Sequence, residues 1–305
     1  MIWAYLLHLG YNMWLDREAP ELGRPDISSK PYLRFDENLW NDLLQHMARS
    51  GVNMLVMDLG EGVRYASHPE LAVEGAWPPE KLRSELAKVR QLGIEPIPKL
   101  NFSATHDAWL GTYSRMVSTP TYYSVCRDLI GEVIELFDGP RFFHLGMDEE
   151  TAEHQRHHAY VVIRQHDLWW DDLLFLVDEV EKNGARAWIW SDYVWHNRDL
   201  FLERMPKSVV QSNWYYGAEF DPKHTPVQAY LDLDEHGFEQ IPTGSNWSCD
   251  TNFEGTVRFA KERLQPGRLL GFLQTVWHPT TENYRQKHFD AVDQLAKAKG
   301  KYYSA

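Results

Sequence analysis

The run Phe142-Phe143-His144-Leu145-Gly146-Met147-Asp148-Glu149-Glu150 brings several chemically capable side chains together. An apolar stretch ends abruptly in three carboxylates. Acidic residues that open a helix offset its dipole, and that accounts for Glu150. Asp148 and Glu149 come directly after the apolar stretch. Two adjacent carboxylates repel, so one is expected to keep its proton to higher pH. A protonated carboxyl beside an ionised one is the pair that glycosidic cleavage requires. His144, His154, His157 and His158 lie close by in sequence. The H-E-x-x-H spacing is missing, however, and the later three fall on a polar helix or loop, where surface histidines rather than metal ligands are expected.

Elements that could position these groups recur along the chain. Helical periodicity ends at Gly, a hydrophobic residue follows, and a short apolar strand begins, at Gly51-Val52, Gly93-Ile94, Gly184-Ala185 and Gly237-Phe238, and more loosely at Gly139-Pro140 and Gly267-Arg268. Gly past a helix end takes the left-handed conformation that a Cβ resists. Asp36, Pro78-Pro79, Thr119-Pro120 and Thr225-Pro226 supply helix starts. Strands are predicted at Ile2–Leu9, Asn53–Asp58, Glu95–Asn101, Phe142–Gly146, Ala187–Ser191, Val209–Asn213, Glu239–Ser245 and Leu269–Thr275, with a last helix over residues 281–299. Eight strand–helix units make a (β/α)8 TIM barrel of the α/β class, a single domain over residues 1–305. A doubly wound sheet is disfavoured because the first βα turn has no Gly-rich dinucleotide fingerprint.

In such a barrel chemistry occurs where strands run into βα loops. Those ends carry His8 and Asn12, then Asp58, Glu61 and Arg64, then Asn101 and His106, then Asp148 and Glu149. Trp190 and Asp192 follow, then Asn213 and Trp214, Asn246, Trp247 and Asp250, and finally Trp277 and His278. Four tryptophans at four consecutive strand ends predict an aromatic-walled pocket.

Composition bounds the partners. The chain has 43% hydrophobic and 25% charged residues, as soluble globular proteins do. A net charge of −13 repels a nucleic-acid backbone. Cys126 and Cys249 are too few for a disulfide framework. The 13 Trp, 15 Tyr and 13 Phe suit platforms for flat, hydroxylated ligands. No stretch reaches the roughly 20 apolar residues of a membrane span. Residues 1–9 lack a basic flank and a cleavage site, and read as a first strand rather than a leader. A cytoplasmic protein and a secreted one with its leader removed both stay open, as does the oligomeric state.

His144-x-Gly146-x-Asp148-Glu149 resembles the H-x-G-G-D-E signature of family 20 glycoside hydrolases, the β-N-acetylhexosaminidases. Further pieces follow in matching order. Ile97-Pro98 with His106 resembles the third-strand segment, Trp190-Ser191-Asp192 the fifth-strand Trp-Asp, Trp214 the sixth-strand Trp, and Gly271 with Trp277 the eighth-strand Trp. Asn53 through Glu61 to Arg64 resembles an Asn…Asp…Arg run on the second strand. The resemblance implies retaining, exo-acting, substrate-assisted hydrolysis of an N-acetylhexosaminide without metal or cofactor. The 2-acetamido oxygen would attack the anomeric carbon, a departure from the usual two-carboxylate scheme. It implies that Asp148 orients and stabilises the acetamido group, that Glu149 is the general acid and base, that Trp190, Trp214 and Trp277 wall the site, and that His144 supports it from beneath. Asp192, His106, Asn101, Glu61, Arg64, Tyr215 and Trp247 complete the expected substrate-binding set.

A borrowed nucleophile agrees with an independent feature. Barrel glycosidases with a protein nucleophile commonly supply a Glu from a late strand, and the seventh strand here ends Ser245-Asn246-Trp247, with Asp250 the only late carboxylate. The repeated Asp of family 18 chitinases is also missing from residues 142–147. The sequence departs from family 20 at three points: Met147 replaces the second Gly, the first strand ends without Arg, and the seventh-strand Tyr is absent, with Trp247, Tyr215 or Tyr216 available in its place. These departures leave a non-catalytic sugar-binding barrel as the alternative, ahead of a metal-dependent barrel hydrolase.

Overall fold

Each junction at which helical periodicity stops at Gly and an apolar run begins is an α-to-β turn in the computed structural model, which describes residues 1–303. Gly51 closes the first helix with φ +78°, its N–H reaching the Ala48 carbonyl, a conformation a Cβ would strain. Gly93, Gly139, Gly184 and Gly237 repeat that geometry, whereas Gly267 turns without it. Helix starts follow their caps: the Asp36 side chain accepts from the Asn38 and Leu39 N–H groups, and Thr119 accepts from Tyr122 N–H.

The parallel strands are β1 (Ile2–His8), β2 (Met54–Asp58), β3 (Glu95–Lys99), β4 (Phe142–His144), β5 (Arg186–Trp190), β6 (Val210–Ser212), β7 (Thr243–Ser245) and β8 (Gly271–Thr275). Between and after them run α1 (Glu37–Ser50), α2 (Pro79–Gln91), α3 (Pro120–Leu136), α4 (Asp167–Lys182), α5 (Arg198–Arg204), α6 (Thr225–Glu235), α7 (Asn252–Arg263) and α8 (Arg285–Tyr303). The order β6-β5-β4-β3-β2-β1-β8-β7 leaves one seam, between β6 and β7. Gln211 N–H to Glu239 O at 3.0 Å, Ile241 N–H to Gln211 O at 2.9 Å and Thr243 N–H to Asn213 O at 3.0 Å close it. The fold is a (β/α)8 TIM barrel.

Strand alternation sorts side chains into two cores. Trp3, Tyr5 and Leu7 of β1 face the helices, while Ile2, Ala4 and Leu6 join Val56, Ile97, Phe142, Trp188 and Leu273 inside the barrel. At the carboxyl ends the inner layer turns polar. His8, Asp58, Lys99 and His144 stand in register across β1 to β4, all buried. Lys99 Nζ lies 2.5 Å and His8 Nδ1 3.2 Å from Asp58 Oδ2. This pairing keeps the layer's charges compensated, as burial demands, and it forms the floor beneath the βα loops. The loops are numbered below by the strand they follow.

Candidate active site

Over that floor opens a cavity of about 740 Å³, lined by loops 1, 3, 4, 6, 7 and 8 and by the end of β5. Loops 1, 3 and 4 give it Tyr11, Trp14, His106, Asp148 and Glu149, the end of β5 gives Trp190, and loops 6 to 8 give Trp214, Tyr216, Trp247, Trp277 and His278.

The carboxylates are held by backbone and side chain together. Gly146, Met147 and Glu149 have φ of +75°, +75° and +52°. Gly146 has no alternative, because a Cβ there would stand 1.9 Å from Asn101 Oδ1. A left-handed Met and Glu cost about 1–3 kcal/mol each unless the surroundings fix them. Here they are fixed. Ser103 Oγ donates to the Asp148 carbonyl at 2.5 Å, Thr105 Oγ1 to the Glu149 carbonyl at 2.9 Å, and Glu149 N–H to Asp192 Oδ2 at 2.8 Å. Asn101 Nδ2 donates to Asp148 Oδ1 at 2.8 Å.

Electrostatics inside the cluster differ from simple repulsion between neighbours. His106 Nε2 lies 3.4 Å from Asp148 Oδ2 and 3.2 Å from Glu149 Oε2, while His154 Nε2 approaches Glu149 Oε1 at 3.5 Å. Burial disfavours the His106 cation, but the carboxylates of Asp148 and Glu149 outweigh it and push the ring up to about 9. Burial alone would raise Glu149, yet its bonds to His106 and His154 hold the carboxyl well below its usual range. Asp192, behind them, is pushed up to about 7 by burial and by the charge of Asp148. The expectation that one member of the adjacent pair keeps its proton is therefore corrected for Glu149, because two histidines stand beside its carboxylate. His106, Asp148 and Glu149 also offer ligand atoms within 4.8 Å of one another, a spacing that could take a cation.

The aromatic side is interlocked. Trp190 is buried between His144, with ring centroids 4.3 Å apart, and Trp277, at 5.9 Å. Trp214 stacks on Tyr216 at 5.1 Å, and its Nε1 donates to Asp192 Oδ1 at 3.3 Å. Trp277 Nε1 donates to the Tyr216 hydroxyl at 3.0 Å. Trp247, 44% exposed, stands at the rim against His278.

Most of the expected residues meet here. Asn101 and Asp192 lie just behind the lining and act through Asp148, Glu149 and Trp214. His144 is buried beneath, its Nδ1 accepting from Gly146 N–H at 3.0 Å. Three expectations are corrected. Glu61 is buried away from the cavity, where it accepts the Tyr11 and Asn12 N–H groups at 2.7 and 3.0 Å and anchors loop 1. Arg64 is exposed on loop 2 and does not line the cavity. Tyr215 packs on Phe220 and His224 outside it, and Tyr216 faces in. Glu150 opens no helix. Its buried carboxylate pairs with Arg164 Nη2 at 2.6 Å, and Arg164 Nη1 reaches Asp172 at 3.1 Å. That anchor folds residues 151–166 back over the site, so His154, still exposed as a surface histidine, and the half-buried His157 also line the cavity. Nothing in the sequence marks Tyr11, Trp14 and Thr105 as lining residues, since their positions depend on how loops 1 and 3 cross the mouth.

No protein-family model matches the chain, and no curated protein matches it. Among solved structures it is similar to the β-N-acetylhexosaminidase of Bacteroides fragilis, with TM-score 0.68, 14% identity, and coverage of 97% of this chain and 64% of that one. It is similar to β-hexosaminidase of Streptomyces plicatus, described in complex with N-acetylglucosamine product, with TM-score 0.65, 13% identity and coverage of 96% and 63%. A third is the GH20 exo-β-N-acetylglucosaminidase of Vibrio harveyi, with TM-score 0.63, 14% identity and coverage of 98% and 56%. The chain thus spans between about half and two thirds of the length of these proteins. At such identities the likeness is one of fold, and the barrel is shared nearly end to end. None of the described helices is long and apolar enough to cross a membrane.

Proposed function

We propose that the chain is a divergent member of glycoside hydrolase family 20 that removes β-linked N-acetylhexosamine with retention, using the substrate's 2-acetamido group as nucleophile. One observation carries the reading: Asp148 and Glu149 share a single sugar-sized cavity with a wall of Trp190, Trp214 and Trp277. Fold likeness to three hexosaminidases supports it.

On this reading the acetamido group enters the aromatic half. Asp148, oriented by Asn101, accepts its N–H and stabilises positive charge as the oxazolinium forms. The Tyr216 hydroxyl accepts from Trp277 and so keeps its own proton free for the acetamido carbonyl, in place of the missing seventh-strand Tyr. Glu149 protonates the leaving oxygen. The proton is stored in the His106–Glu149 ion pair, 3.2 Å apart. When substrate displaces water, the lower dielectric favours the neutral pair, and the proton moves to the Glu149 carboxyl. Glu149 then takes a proton from the water that opens the oxazolinium. Aromatic walls exclude other water and strengthen the charges inside.

The test is a set of aryl β-glycosides with and without the 2-acetamido group, assayed with and without chelator. Cleavage confined to the 2-acetamido series and blocked by a thiazoline supports the reading. Equal cleavage of 2-hydroxy glycosides sinks the borrowed nucleophile. Loss of activity to chelator favours a metal-dependent hydrolase at His106, Asp148 and Glu149, and binding without turnover favours a sugar-binding barrel.

A further inference from the structure

Arg24 of loop 1 lines the cavity, yet among the described residues its guanidinium has no hydrogen-bond or ion-pair partner. Nearby arginines are all engaged. Arg17 pairs with Glu21 at 2.6 Å, Arg34 donates to Tyr11 O at 3.0 Å, Arg115 pairs with Asp16, and Arg156 with Glu153. Loops 1 and 4 are tied together, since Arg17 Nε donates to His157 O at 2.8 Å and Ala159 N–H to Asp16 Oδ1 at 3.0 Å. His154 stands 3.5 Å from Glu149, and Arg156, His157 and the exposed Arg24 line the same cavity. Glu153 is neutralised by Arg156, and Asp26 accepts the Tyr284 hydroxyl rather than pairing with Arg24. A chain of net charge −13 thus presents an uncommitted cation at the mouth of its cavity.

A guanidinium fork matches the oxygens of a carboxylate or sulfate. We propose that the loop 1–loop 4 wall is a subsite for an acidic sugar, a uronate or a sulfated hexose, linked to the residue that is cleaved, with Arg24 as its specificity-determining residue. The placement on the leaving side rests on the hydrolase reading, because the general acid stands next to the leaving oxygen. The anion requirement rests on Arg24 itself.

Three disaccharides with a terminal β-N-acetylhexosamine, linked to a uronate, a sulfated hexose or a neutral hexose, test this against the wild type and Arg24→Gln. At low salt kcat/KM should favour an acidic disaccharide by roughly fivefold, about the value of one partly exposed charge pair. The ratio should fall toward one in high salt and in Arg24→Gln, with Arg24→Lys intermediate. The acidic arm that shows the preference identifies the anion. A wild-type ratio of one at low salt overturns the subsite. If nothing is cleaved, the hydrolase reading fails, and calorimetry of the intact disaccharides decides the subsite alone: tighter binding of an acidic one that Arg24→Gln removes supports it, and equal affinities overturn it.

Discussion

The two halves of the barrel mouth are built differently. On the aromatic half, Trp190 ends β5, and Trp214, Trp247 and Trp277 each lie two residues past the ends of β6, β7 and β8. A strand end sets their place, and apolar contact with two indole hydrogen bonds does the rest. On the acid half, Asp148 and Glu149 lie past β4 in a left-handed backbone kept in shape by Ser103, Thr105, Asn101 and Asp192. Each of those bonds is directional and reaches across loops. Asp192 serves both halves, with one oxygen on Glu149 N–H and the other on Trp214. A wall held mostly by packing thus stands opposite a cluster held mostly by directional bonds.

The sharpest way to expose that difference is to change one atom of the acid half. Glu149→Gln keeps the shape but removes the transferable proton, and kcat/KM on poor leaving groups should drop by about 10²–10⁴-fold, less on activated aryl leaving groups. Trp277→Phe, on the other half, should cost far less. If Glu149→Gln retains full rate on a poor leaving group, Glu149 is not the acid.

Next in size is the anchor of loop 4. Arg164, Glu150 and Asp172 are all buried, so Arg164→Met leaves two carboxylates without their cation and should destabilise by about 3–5 kcal/mol. Hydrogen exchange should rise over residues 145–166 while residues 190–195 and 212–216 stay protected. Uniform loss of protection across the barrel would instead mean that the two halves open together.

How much of this was legible follows the same division. Gly51 and Asp36 announce a helix end and a helix start by local chemistry, and the strand positions of all four tryptophans follow from counting. Tyr215 and Tyr216 show where counting stops: consecutive residues in extended chain point opposite ways, and nothing local says which faces the cavity. His154 is exposed as its sequence suggests, but its place at the cavity is hidden because Glu150 reads as a helix opener. Only the pairing of Glu150 with Arg164, across fourteen positions, bends the loop over the site. Glu61 sits at a strand end as expected, yet the Tyr11 and Asn12 N–H groups from another loop claim its carboxylate.

The smallest effect is the pH dependence of stability, and it too should separate the halves. His106, pushed up to about 9 from 6.5, stabilises the fold fully below pH 6.5, and that contribution is lost as pH rises through 9. Asp192, pushed up to about 7 from 3.8, holds a proton that the unfolded chain has released, so stability falls across that interval as pH rises. Glu149 acts oppositely, its contribution being present above 4.5 and lost as pH falls toward its depressed folded value. Melting temperature should therefore peak on the acid side of neutrality and decline between about pH 6.5 and 9. His106→Gln should flatten that alkaline decline, whereas Trp277→Phe should lower the whole curve without changing its slope. A decline that survives in His106→Gln would place the proton-linked stability outside the acid half and remove the electrostatic distinction between the two walls.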